Sequence, residues 1–248
     1  YARYVHATIH GDLGQSMRDG RPAILVVAER IPVTLMLTVP ALVVNLLLGI
    51  PTGVFAALKR GSLTDRLIMA IAVTGFSIPS FVLGLVLVLA FAVELPWLPS
   101  GGTGGLRHMT LPVFTLGFGG AAVLARFTRS AMLEVLGQPY IRTGNAKGVP
   151  WPRVVTGHAL PNAMIPVLTI VGFMVGNLIA GTVLIESVFS WPGLGSLLVV
   201  SVVSRDLAVV QCILLVVAAA MITTNLTVDL LYGLLDPRLR DMSAAGGA

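Results

Sequence analysis

Long stretches without a charged side chain constrain this chain more than any other feature. Ile31–Leu58 carries no charge, and Leu67–Val93 carries none before Glu94. Met109–Ala125 is shorter and ends at Arg126, while Ala159–Ile185 and Leu207–Val228 are again uncharged. A helix needs about 20 mostly apolar residues to cross a bilayer. In lipid the backbone must satisfy its own hydrogen bonds, which leaves helices for runs of this length. Five spans are therefore expected. Ser187–Ser204 is also uncharged, but Trp191-Pro192-Gly193 and Gly195 interrupt it early. A loop with a short helix, lying at the membrane surface or re-entering it, is expected there instead of a sixth span.

Composition agrees. Charged residues make up 11% of the chain and hydrophobic residues 56%, where a soluble domain carries about 25% charged residues. With a mean hydropathy of +0.92, the chain cannot cover a water-facing surface, and it is too apolar for disorder. The net charge of +5 would suggest nucleic acid in a soluble protein. Here the basic residues cluster in loops, so they report topology and no nucleic-acid partner is expected. Lys59, Arg60 and Arg66 mark one side. Arg126, Arg129, Arg142, Lys147 and Arg153 mark the same side, as do Arg238 and Arg240. The opposite side holds Arg107 and Arg205. The Lys/Arg-rich side is expected to face the cytoplasm, which leaves Tyr1–Arg30 outside. An external segment with no export signal implies a further span upstream of Tyr1. The single cysteine, Cys212, lies within an apolar run and has no internal partner.

Several kinds of chemistry are missing. No phosphate-cradling G-x-x-x-x-G-K-[ST] occurs, since Lys59 precedes Arg60 and Lys147 precedes Gly148. The four histidines are His6, His10, His108 and His158. His6 and His10 have helical spacing but lack the glutamate and third ligand of a zinc site. No G-x-S-x-G nucleophile turn is present. Glu94, Glu186 and Asp206 flank spans and read as solvated interfacial acids. Asp229 falls inside the last span and needs a partner, for which Arg126 and Arg129 are the candidates. Gly49 and Gly53, like Gly172 and Gly176, have the spacing of close helix packing. Pro40, Pro51, Pro79 and Pro166 are expected to kink or interrupt helices.

The most informative segment is Gln138–Pro166, QPYIRTGNAKGVPWPRVVTGHALPNAMIP. Gly148 is expected to stop a first short helix, and Pro152 suits the first turn of a second. Trp151, Val154 and Val155 are expected to give that second helix an apolar face. Such a loop suits docking as a small knob in a partner's groove; an amphipathic helix resting on headgroups is the plainer alternative.

This segment resembles the signature loop of ABC-transporter permease subunits, E-A-A-x3-G-x9-I-x-L-P. With Gly148 as anchor, Arg142-Thr143-Gly144 takes the leading positions, His158 the I position and Leu160-Pro161 the L-P positions. The leading triplet departs from the general motif. It is closer to the R-T-A-x-A-K-G start of the dipeptide and oligopeptide importers, with Gly144 where that pattern has Ala. Three further segments resemble the same family: Gly11-Asp12-Leu13-Gly14-Gln15-Ser16, Glu186–Gly195 (ESVFSWPGLG) and Leu230–Arg240 (LLYGLLDPRLR). Nickel and glutathione importers share them.

The resemblance implies an all-α integral membrane protein with the fold of a type I ABC importer transmembrane domain, five spans here and six in a full-length chain. Residues 1–30 would form an external segment and 31–240 the permease domain, with a coupling loop at 134–160 and a flexible tail at 241–248. Arg142, Thr143, Gly144, Ala146, Lys147, Gly148, Val149, His158, Leu160 and Pro161 would contact the ATPase subunits. This chain would bind no cofactor; ATP and Mg would be held by two cytoplasmic ATPase subunits. A second homologous permease and an extracytoplasmic peptide-binding protein would complete a transporter of di- or oligopeptides in the bacterial inner membrane, surrounded by lipid. Nickel or glutathione is the alternative cargo. A secondary transporter driven by an ion gradient is a different class, which would rely on Asp229 and have no need of the loop.

Overall fold

The computed structural model describes residues 13–235. Residues 1–12, with His6, His10, Gly11 and Asp12, lie outside the described residues, as do the side chain of Asp229 and residues 236–248. The described chain is helical, with one isolated bridge between Gln15 and Pro22. A short helix α1 (Ala23–Ala28) leads into α2 (Ile31–Leu58). Next come α3 (Leu63–Ser77) and α4 (Ser80–Val88), the latter widening into a π-type turn at Leu89–Glu94. Helix α5 (Leu106–Leu136) is followed by two short helices, α6 (Pro139–Ala146) and α7 (Trp151–Val154). Helices α8 (Leu160–Val188), α9 (Leu194–Val203) and α10 (Leu207–Leu235) complete the described chain.

Among the described residues, four stretches are long and apolar enough to cross a membrane: Ala23–Leu58, Leu106–Leu136, Trp151–Gly176 and Leu207–Thr227. Over the fifth expected span, Leu67–Val93, the chain forms two helices, α3 and α4, with a break between them. The break is local chemistry. Pro79 offers no N–H and disfavours a helical residue before it, and Ile78 is extended (φ −85°, ψ 122°). Between α8 and α10 the chain makes the expected loop and short helix, α9.

The chain forms two compact units. The first takes the residues up to Leu42, Pro79–Gly117 and Gly176–Ile222. Its interior has two apolar clusters, one around Leu37, Leu111, Ile185, Phe189 and Trp191, the other around Val27, Leu194, Val209 and Ile213. The second takes Val43–Ile78, Phe118–Val175 and the residues from Thr223 onward. Its core joins Leu124, Ala131 and Met132 of α5 to Ile141, Val154, Val155, Ala159, Ala163 and Val167. Within this unit Gly49 and Gly53 let α2 approach α5 closely. A Cβ on Gly49 would lie 2.7 Å from the Leu124 Cβ, and one on Gly53 would lie 2.5 Å from the Ala125 carbonyl oxygen. The glycine pair is therefore a packing device.

Candidate coupling loop and its supports

The loop after α5 is built from two short helices around one left-handed residue. Gln138 is extended and Pro139 sits in the first turn of α6, where a missing N–H costs nothing. The helix stops at Gly148, whose φ of +74° suits glycine. Its N–H donates to the Asn145 carbonyl (3.0 Å), and the Val149 N–H donates to that of Gly144 (3.2 Å). Pro150 and Pro152 then start α7. The chain enters α8 through a π-type turn at Val155–Ala159. That widening accommodates Pro161, whose ring would otherwise press on the carbonyl one turn back. The Asn162 side-chain amide donates to the His158 carbonyl (2.7 Å).

The loop has two faces. Ile141, Val154, Val155 and Ala159 are buried against the second unit's core. Arg142, Thr143, Ala146, Lys147, Gly148, His158 and Pro161 are exposed, and Gly144, Val149 and Leu160 are half-buried. Tyr140, Trp151 and Arg153 join the exposed set. The expected apolar face of α7 therefore splits: Val154 and Val155 turn inward, while Trp151 remains 47% exposed. Thr143 spends its hydroxyl on the Pro139 carbonyl (3.1 Å). At Gly144 an added Cβ would meet only the Val154 Cγ2 at 3.8 Å, so the position has room for alanine.

In the same unit, Arg129 forks onto Asp65. Its Nε donates to Oδ1 (2.6 Å) and its Nη2 to Oδ2 (2.8 Å). The Gly61 N–H donates to the same carboxylate (2.9 Å), and the Ser62 hydroxyl caps α3 by accepting from the Asp65 N–H (3.2 Å). Arg129 is thus already engaged, and Arg126 lies over the Phe76 ring, 5.7 Å from its centroid.

In the first unit, two acids expected to be solvated are buried instead. Glu186 is fully buried. Its Oε1 accepts from the Thr34 hydroxyl (2.7 Å), and its Oε2 accepts from the N–H groups of Gly195 (2.7 Å) and Ser196 (3.0 Å). The Thr34 hydroxyl oxygen in turn accepts from the Leu194 N–H (2.8 Å). Glu186 and Thr34 together thus serve the orphan donors at the start of α9. The glycines of the Trp191–Gly195 segment are required by this packing: a Cβ on Gly195 would lie 2.3 Å from the Val183 Cα. Trp191 anchors the turn through its indole N–H to the Val33 carbonyl (2.9 Å). Asp206 is the second buried acid. It accepts from the Ser16 hydroxyl (2.6 Å), the Arg18 N–H (3.5 Å) and the Val209 N–H (3.4 Å). Burial pushes its carboxyl up, but these donors outweigh burial and hold it below the usual carboxylate range.

These motif residues are set in a fold shared with known transporters. A structure of the MetNI methionine ABC transporter in an inward-facing conformation superposes with a TM-score of 0.73, covering 86% of this chain and 96% of that one, at 20% identity. A crystal structure of an amino acid ABC transporter with histidines gives a TM-score of 0.59 over 87% of this chain and 98% of that one, at 17% identity. The fold is that of an ABC-importer transmembrane domain. A family profile described as binding-protein-dependent transport system inner membrane component matches residues 49–241. The chain belongs to this family. Among its relatives is the glutathione transport system permease protein GsiC of Escherichia coli O6:H1, 46% identical over 96% of this chain and 78% of that protein. The protein of the same name from Salmonella paratyphi A is 45% identical over the same shares. The chain is therefore a permease subunit of the inner membrane and not an enzyme. A permease of this class works with ATPase and substrate-binding partners.

Proposed function

We propose that this permease forms half of the pathway of an ATP-driven importer of small peptides, paired with a second homologous permease. Two cytoplasmic ATPase subunits would take the exposed face of the 134–160 loop, with Arg142, Lys147 and Gly148 at the contact. The observation that carries the reading is the division of that loop into an apolar face buried on its own unit and a polar, cationic face left exposed. A loop seated on its own core transmits displacement to the spans, where a loop resting on lipid would not. The cargo reading follows the relatives: glutathione, named for them, is itself a tripeptide. An extracytoplasmic binding protein would deliver it. The Lys59–Arg66 and Gln138–His158 segments would then be cytoplasmic, as the Lys/Arg asymmetry requires.

Substitutions at Gly148 test the docking role. Asp and Asn tolerate a left-handed backbone better than other residues, and no neighbour lies within 4 Å of a Cβ at this position. Gly148→Asn and Gly148→Asp should therefore fold and insert, yet lower uptake, cargo-stimulated ATP hydrolysis and recovery of the ATPases in pull-downs. Wild-type coupling in both variants, with the ATPases retained, would remove this loop from the contact.

A further inference from the structure

Arg126 and Arg129 sit about one turn apart on α5, yet their guanidinium groups end at different levels of α3. Arg129 reaches Asp65 in the first turn of α3. Arg126 lies over Phe76, eleven residues further on and about 16 Å along the helix at 1.5 Å per residue. The neighbouring Gly75 packs on Phe118 and Ala122, so this end of α3 lies beside α5 residues on the N-terminal side of Arg126. Phe76 is next to the end of α3, close to the interruption at Ile78 between α3 and α4.

A long cationic side chain in contact with lipid carries its charge toward the nearer headgroups. Arg126 does the reverse, turning from the loop end of α5 toward the interior of a span. Helical side chains lean toward their N-terminus, which favours this direction sterically but leaves the charge to be accounted for. The Phe76 face covers one side of the guanidinium. Arg126 is otherwise exposed, and its N–H donors have no hydrogen-bond acceptor among the described residues. Exposed donors at that level are expensive against hydrocarbon and tolerable against water.

We propose that Arg126 faces the aqueous transport pathway and binds a carboxylate of the cargo in transit, so that it sets a preference for anionic small peptides. A planar guanidinium held over an aromatic ring keeps its N–H edge free as a two-pronged donor, which matches a carboxylate. The carboxylate part of this inference rests on the peptide reading above; the placement in the pathway does not.

The test uses the assembled transporter, with its ATPases and binding protein, in proteoliposomes. Uptake of glutathione is compared with uptake of its glycine amide, which lacks one carboxylate. One binding protein serves both compounds, so its own preference cancels between variants. The glutathione-to-amide ratio should fall by about tenfold in Arg126→Gln, as for loss of one charged hydrogen-bonding partner. In Arg126→Lys, which keeps the charge without the fork, it should fall less. An unchanged ratio in both overturns the cargo contact. Placement is read separately from Arg126→Cys in a Cys212→Ser background. Modification by a membrane-impermeant sulfonated thiosulfonate supports the pathway. Reaction only with a lipid-soluble maleimide overturns it and assigns Arg126 to the lipid. A wild-type complex that takes up neither compound overturns the glutathione cargo reading on which the carboxylate contact rests, while the labelling still decides where Arg126 faces.

Discussion

Glu186 shows how much one side chain can organise. Its carboxylate receives three hydrogen bonds from a position with no exposure, two of them from the first residues of α9. Glu186→Ala would leave buried donors unsatisfied, each costing about 1–3 kcal/mol. We expect it to lower the thermal transition of the detergent-solubilised permease markedly. Glu186→Gln should lower it less, because an amide oxygen still accepts from Gly195 and Ser196. Equal transitions for the alanine variant and wild type would refute the capping role. Asp206 adds a pH dependence of known sign. A carboxyl held below its ordinary value, about 3.9, stabilises fully above that value. The contribution is lost only as pH falls further, through the folded-state value. Between pH 5 and pH 8 the Ser16–Asp206 link should therefore be unaffected, and Asp206→Asn should shift the transition equally at both ends of that range. From sequence alone these two acids read as solvated, because each ends or begins an uncharged run. Their partners Thr34 and Ser16 lie 152 and 190 residues away, and no local pattern announces a partner so distant.

At the scale of elements, helix stops and starts were legible wherever the backbone itself forbids continuation. Gly148, Pro152 and the Trp191–Gly195 turn punctuate the structure where their chemistry says they must. The interruption at Pro79 was expected too, though not that its two arms would count as separate helices. What stayed hidden was the direction of each short helix. The 3.6-residue pattern cannot separate Trp151, which is exposed, from Val154 and Val155, which are buried, because all three are apolar. The glycines divide in the same way. Gly144 lies inside α6 with room beside it, so Gly144→Ala should stabilise that helix by about 0.5–1 kcal/mol. Gly195 faces the Val183 backbone at a distance no Cβ can share, so Gly195→Ala should sharply reduce the folded, membrane-inserted permease. Parallel expression and thermal-shift measurements check both, and similar behaviour of the two variants would contradict the packing described.

Across the whole molecule, the membrane-spanning helical fold and the family were both readable in advance. The first follows from uncharged length and the second from four short segments spread along the chain. Sidedness is the prediction that belongs to this scale. In a Cys212→Ser background, a cysteine at Ser100 should react with an impermeant thiol reagent added outside intact cells, and one at Ser62 should not. The reverse pattern would invert the orientation and strand the 134–160 loop away from any ATPase.

The two buried acids also imply an order of assembly. Glu186 and its backbone partners lie 9 and 10 residues apart, and Thr34 has been synthesised long before either. This cap can close while the ribosome is still extending the chain. The Ser16–Asp206 link must wait until nearly all the described residues have been made. During synthesis the segment around Ser16 is therefore held only by its local turn onto α1 until Asp206 arrives. A ribosome stalled before Asp206 would hold an N-terminal segment open to protease, and one stalled beyond α10 would hold it protected.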